Sequence, residues 1–164
     1  MIDEVREQLI EYLEDAHALE QHVAHQLDLL VETTEDRELS EQFRHHREET
    51  ARHELALRER LEAYRRSASP LKEAGSIFAA MSKGLVDAVR SPSPARNARD
   101  AYVAEHLEIA TYHMLEHLAL HAGDWATADV ARENRADEEA VAEAISKRWE
   151  RVVHLSLEKE GVPG

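Results

Sequence analysis

Four long stretches of the chain repeat apolar residues at intervals of three and four, the pattern of helices that bury one face. The first, over 2–33, has Leu9, Leu13, Ala16, Val23, Leu27 and Leu30 on its stripe. The second, over 37–66, has Leu39, Phe43, Leu57, Leu61 and Tyr64. The third covers 95–122, and the fourth, over 125–157, has Val130, Val141, Ile145, Trp149 and Val152. The polar run Thr33-Thr34-Glu35-Asp36 parts the first two helices and supplies caps for the second. Gly123-Asp124 parts the last two, with Gly ending one helix and Asp capping the next. Connections this short predict two antiparallel hairpins. Between them, Ser-Pro dipeptides bound a shorter apolar helix over 71–89, carrying Ile77, Phe78, Met81 and Leu85, expected to cross over one end or side of the bundle. Ser69 and Ser93 stand as caps before Pro70 and Pro94 at first helical positions. The expected fold is all-α: a four-helix bundle of two antiparallel hairpins with a short crossover helix, in one domain over 1–160.

The stripes are interrupted, and at matching levels. Glu20 sits between Leu13 and Leu27 where an apolar residue is expected. Taken alone, it could lie at the stripe edge and reach solvent with its stem along the core. On the second helix, His46, Thr50 and His53 are consecutive inward positions, with Glu49 beside them. Glu20 and Glu49 lie at nearly equal distances before and after the first turn, so they should meet at one height. The third helix places Glu105 and Glu108 on one face, within Tyr102, Val103, Leu107, Ile109 and Ala110. The fourth puts Glu138 on its stripe, one turn after Asn134, with Glu139 at the flank and Glu143 nearly opposite. Glu105 and Glu108 mirror Glu138 across the second turn. His113, His117 and His121 form a ladder that reads most simply as a solvated or interface stripe.

Composition supports the helical reading: five Gly and four Pro among 164 residues leave few breakers. A net charge of −14 argues against nucleic acid and against an anionic membrane surface as partners. No apolar run approaches the roughly 20 residues of a membrane span. The absence of cysteine excludes disulfides, thiolate sites and thiol catalysis, and fits a cytoplasmic protein. Met1 to Arg6 is charged and helix-like, with no visible signal peptide.

Packing the hairpins together would bring at least four carboxylates and a histidine into one core layer. Without counter-charge such carboxylates repel and largely protonate, whereas two divalent cations offset them. Oxygen-rich ligation with some imidazole suits iron or manganese better than structural zinc, with zinc as a substitute. Two-metal carboxylate centres in four-helix bundles are built this way. With 34 acidic residues, coincidence is the competing explanation, and matched heights in both hairpins weigh against it.

Phe43-Arg-His-His46-Arg-Glu-Glu49-Thr50, Val103-Ala-Glu105-His106-Leu-Glu108-Ile-Ala110, Tyr112 and Glu138-Glu139 resemble the bacterial YciE/YciF-type ferritin-like family, as does the run Asp15 to Leu27 around Glu20. The resemblance spans the chain from the first helix to the fourth. It implies a ferritin-like bundle, commonly a homodimer, associated with stress responses and carrying a two-metal carboxylate site. Glu20, Glu49, Glu105, Glu108 and Glu138 would be ligands, with His53 at a polar position of the site. His46 would either ligate or support a ligand, and Tyr112 and His106 lie in the matching motifs. Ferritins and related oxidases carry Glu-x-x-His on the second helix of a hairpin. Here Arg52 follows Glu49 at that spacing and Val141 follows Glu138, so the histidine ligands depart from the pattern. The function implied is a two-metal protein, with ferrous-iron oxidation or consumption of peroxide or oxygen as its chemistry. Against it stand an interaction or structural bundle whose core site only stabilises, serving an unidentified protein partner, and a hemerythrin-like site on His106, His113 and His117.

Overall fold

The computed structural model describes residues 2–67 and 93–162, and the expected helix over 71–89 lies outside them. Among the described residues five helices form: α1 Ile2–Thr33, α2 Arg37–Ala63, α3 Pro94–Ala122, α4 Trp125–Ser146 and α5 Trp149–Lys159. No other regular element occurs among the described residues. α1 pairs with α2 and α3 with α4; α1 also packs on α3, α2 on α4, and α5 on α3. No described helix is long and apolar enough to cross a membrane.

Each turn is fixed by the chemistry its residues carry. The Asp36 side chain accepts from the Leu39 N–H at 3.0 Å and starts α2. Gly123 ends α3 in the left-handed region at φ 75°, where a side chain would be strained. Asp124 then caps α4 through the Thr127 N–H at 3.1 Å. The same carboxylate receives Arg60 at 3.1 Å and the Tyr64 hydroxyl at 2.6 Å, so the far end of α2 is tied to the start of α4.

Three helix ends differ from the sequence expectation. The second helix stops at Ala63 rather than running to 66, because Arg65 turns left-handed at φ 58°. The N–H groups of Arg65 and Arg66 return to the carbonyls of Glu62 and Leu61 at 2.8 and 3.1 Å, which satisfies the open helix end. A non-glycine residue there costs roughly 1–2 kcal/mol. Tyr64 on Asp124 and Arg66 on Glu7, at 2.6 Å each, hold the turn against that cost. The third helix starts at Pro94, the first helical position that the Ser93-Pro94 pair marks and one residue before the range read from periodicity, but Ser93 does not cap it with its side chain. Its hydroxyl donates instead to Ser156 at 2.9 Å, and Ser156 of α5 accepts the Ala95 N–H at 2.9 Å, acting as the cap from another helix. The fourth helix is not continuous to 157 but breaks at Lys147-Arg148. The Arg148 N–H bonds to Ile145 at 2.9 Å, and its own guanidinium fills the Ala144 carbonyl at 2.7 Å, so the chain can turn without an orphaned acceptor. The apolar stripe continues on α5, where Val152 is buried.

Candidate metal centre

Apolar clusters bracket a polar layer on both sides. At one end Leu9, Leu13, Leu57, Leu61, Leu115 and Ala131 pack together. Towards the other end lie Leu19, Val23, Leu27 and Ala104, and beside them Leu39, Ala98 and Val152. On each long helix the stripe passes from one cluster to the other through its polar residues. Those residues are therefore sealed from above and below by aliphatic side chains. Glu20, Glu105, Glu108 and Glu138 are no more than 1% exposed, and His46 and His53 no more than 3%.

Six side chains from all four long helices converge there in two groups. His46, Glu105, Glu108 and Glu138 bring one donor atom each to within 4.8 Å of one another, and so do Glu20, His53 and Glu138. Glu138 belongs to both groups. His46 Nε2 lies 3.1 Å from Glu105 and 3.6 Å from Glu138, while His53 Nδ1 lies 2.8 Å from Glu138 and 3.5 Å from Glu20. These approaches lack the alignment of hydrogen bonds. Both oxygens of Glu108 and of Glu138, one each of Glu20 and Glu105, both ring nitrogens of His46 and Nδ1 of His53 are buried without a hydrogen-bond partner. Buried polar atoms are nearly always satisfied, so orphaned atoms pointing at one another need an explanation. A cation between them supplies it, and the oxygen-rich donor set with imidazole fits a transition-metal pair.

Neighbouring residues take up only the atoms the layer does not need. The Tyr112 hydroxyl donates to Glu20 Oε1 and accepts from Asn134 at 3.0 Å, which leaves Glu20 Oε2 free. Asp137, half exposed, engages His53 Nε2 at 3.1 Å and turns Nδ1 towards Glu20 and Glu138. A carboxylate behind a histidine fixes its tautomer and raises its basicity as a ligand. A groove of about 220 Å³ on the bundle side has Glu105 in its wall, beside Val23, Leu27, Ala101 and Ala104.

Charge is redistributed within the layer. Burial lowers the proton affinity of His46, but the carboxylates of Glu105, Glu49 and Glu138 more than offset it and raise its pKa to about 11. His53 is raised to about 10 in the same way, by Glu138 and Glu20 against its burial. Burial pushes Glu105 up to about 8, raises Glu20, and lifts Glu108 well above the usual carboxylate range. Glu138 is also buried, yet the two imidazolium rings hold it below its ordinary value. Without a cation, the layer thus balances charge with protons: two charged rings face Glu138, and the other carboxylates are pushed towards their acid forms.

The structure brings Glu20, His53, Glu105, Glu108 and Glu138 together, with His46 as a full member and Tyr112 adjoining. The stripe-edge alternative for Glu20 fails on its burial. Two histidines enter the layer rather than one. Glu49 does not join either group: its side chain is 13% exposed, and of the layer's residues it approaches His46 at the far nitrogen, Nδ1, at 3.6 Å. His106 points outward; its ring lies tilted against Tyr102, with centroids 4.2 Å apart, and bonds the Tyr102 carbonyl. His113, His117 and His121 are exposed as well, so the hemerythrin-like arrangement of His106, His113 and His117 has no buried site. Asp137 escaped the sequence reading because it sits off the stripe among many acidic residues, and no spacing rule marks it. Glu139 and Glu143 face solvent.

Residues 4–158 match the family described as Domain of unknown function (DUF892). The structure is similar to that of a protein from Xanthomonas campestris pv. campestris, at 25% identity over 97% of this chain and 99% of that one, with a TM-score of 0.80. It is similar to the E. coli stress protein YciF at 21% identity, over 92% and 97% of the two chains, with a TM-score of 0.78. It is also similar to Desulfovibrio desulfuricans bacterioferritin, described with its diiron site, at 19% identity over 95% and 86%, with a TM-score of 0.75. No curated protein matches the chain. The bundle has the ferritin-like fold, and its buried His/Glu cluster fits a two-metal site of that kind. With the match running over nearly the whole chain and YciF among its structural neighbours, the chain belongs to the DUF892 family, the YciE/YciF-type ferritin-like proteins.

Proposed function

We propose that this protein binds a pair of transition-metal ions in the bundle core, iron or manganese by donor preference. One ion takes His46, Glu105, Glu108 and Glu138; the other takes Glu20, His53 and Glu138. The observation that carries this reading is the set of orphaned, buried oxygens and ring nitrogens that face one another from four helices. The likeness to a bacterioferritin with a diiron site supports it, and the likeness to a stress protein supports a stress-associated role. A homodimer, expected of the family, is part of the proposal.

Such a pair, when bound, supplies one-electron redox chemistry suited to ferrous-iron oxidation or to consuming peroxide or oxygen. The chain's own residues set the conditions. Aliphatic layers at both ends exclude bulk water. The groove along Val23, Leu27 and Ala104 brings the bundle surface up to Glu105. Tyr112 holds its proton on Glu20 Oε1 and keeps that carboxylate in one orientation. Asp137 holds the proton at His53 Nε2. Asp137→Asn removes that anchor without touching a ligand atom, and is expected to weaken binding in the Glu20–His53 group about 10- to 100-fold. A metal titration that separates the two affinities checks this, and the other ion should be unaffected.

Elemental analysis of untagged protein, produced with iron and manganese supplied, tests the reading. Two ions per chain are expected. A folded protein that holds no metal would sink it and turn effort to protein partners.

A further inference from the structure

Glu49 lies beside the polar layer, 13% exposed, without joining either ligand group, and its surroundings are graded in a single direction. Its Oε1 lies 3.3 Å from Nε2 of His45, a ring 72% exposed. Its Oε2 is buried without a hydrogen-bond partner and lies 3.6 Å from Nδ1 of His46. The His46 side chain is 4% exposed, and its other nitrogen, Nε2, reaches Glu105 at 3.1 Å and Glu138 at 3.6 Å. One imidazole therefore has a carboxylate at each nitrogen, one towards the surface and one in the core. Both nitrogens are without a hydrogen-bond partner.

We propose that Glu49, with His45 and Nδ1 of His46, is a transit site that passes divalent metal ions from solvent to the core pair. This deepens the two-ion reading and rests on it. A hydrated dication cannot cross the aliphatic layers at the two ends, because stripping its water there is prohibitively costly. It can shed water stepwise where ligands replace it, and the edge of α2 offers that sequence: an exposed imidazole, a partly exposed carboxylate, a buried imidazole, then the core carboxylates. Imidazole at two of the steps selects first-row transition ions over calcium and magnesium. Arg52 Nη2, 3.7 Å from Glu49 Oε1, competes for the same oxygen. A relay position must bind weakly enough to release, and that neighbouring cation keeps it weak.

Cobalt(II) chloride mixed rapidly with metal-free protein, followed by its visible absorption, tests the route. Glu49→Gln is isosteric and removes only the charge. It should bind as many cobalt ions at equilibrium as the wild type but load about tenfold more slowly or worse, as expected when a focusing charge is lost. His45→Gln should slow loading in the same direction. Loading of both variants at the wild-type rate would overturn the transit role. So would a Glu49→Gln protein that holds one ion fewer at equilibrium, since Glu49 would then be a ligand. A wild type that takes up no cobalt would instead sink the two-ion reading, and the route with it.

Discussion

Replacing Glu138 with alanine removes both metal ions, whereas Glu20→Ala removes one and Glu105→Ala the other. The asymmetry follows from the sharing of one side chain. Glu138 contributes to both donor groups, while Glu20 serves only the group with His53, and Glu105 only the group with His46. Glu138 is also the carboxylate that both charged rings face in the metal-free protein. Deleting it leaves buried imidazolium without its main counter-charge, a loss worth about 3–5 kcal/mol where one partner of a buried pair is removed. Glu138→Gln keeps the volume and should fold where Glu138→Ala is marginal, with the same loss of both ions. Elemental analysis of the variants, together with anomalous scattering from crystals, separates the outcomes. An ion retained by Glu138→Gln in either group would show that the groups are independent and that the shared carboxylate is not a bridge.

The hairpins were legible because their signals are local. Asp36 and Asp124 cap helices through their own side chains, and Gly123 adopts a backbone conformation that few other residues tolerate. Two of the helix ends that differed, at Ala63 and Pro94, depend on distant partners. Arg65 can turn left-handed because Tyr64 and Arg66 are held by Asp124 and Glu7, which no window around Arg65 contains. The break after Ser146 needs the Arg148 guanidinium to fold back on its own helix, while the apolar stripe runs through the break undisturbed. Periodicity reports which face is buried; it does not report whether the backbone beneath it is continuous.

The polar layer was legible for the same reason as the hydrophobic stripes. Glu20, His46, His53, Glu105, Glu108 and Glu138 all lie on the inward face between apolar stretches of their stripes, and burial followed. Glu49 shows the limit of that argument. It has the right height but lies beside the stripe, and a rotation of that size on the helix separates a core donor from a partly exposed one. His106 fails likewise: its neighbours in the motif, Glu105 and Glu108, point inward together, so the residue between them must point out. Asp137 acts from off the stripe by holding another side chain, and a residue defined only by what it orients leaves no periodic trace.

The metal-free protein should lose stability as pH rises, and the metal-loaded protein should gain it. His46 and His53 bind protons more tightly folded than unfolded, with values near 11 and 10 against an ordinary 6.5. Their contribution is full below the ordinary value and is lost as pH climbs through the folded ones. Glu105, raised to about 8, acts in the same direction, because the fold favours its acid form; Glu20 and Glu108 are raised too. Glu138 and Glu49 are lowered and oppose the trend, since their contribution is present above the ordinary carboxylate range and lost only as pH falls. Between about pH 7 and 9 the folded chain holds two imidazole protons that the unfolded chain has given up, so these two alone lower stability by on the order of 3 kcal/mol per pH unit, and the raised carboxylates steepen the fall. Metal ions invert the slope. They need neutral imidazoles and ionised carboxylates, so binding must expel the layer's protons and strengthens as pH rises. Thermal melts from about pH 6 to 9, with a chelator and with saturating manganese, should give two curves of opposite slope. A metal-free curve that is flat or rises with pH would mean that His46 and His53 are neutral in the folded core. The carboxylates would then share the protons among themselves, and the charge balance that prepares the layer for a pair of cations would have to be assigned differently.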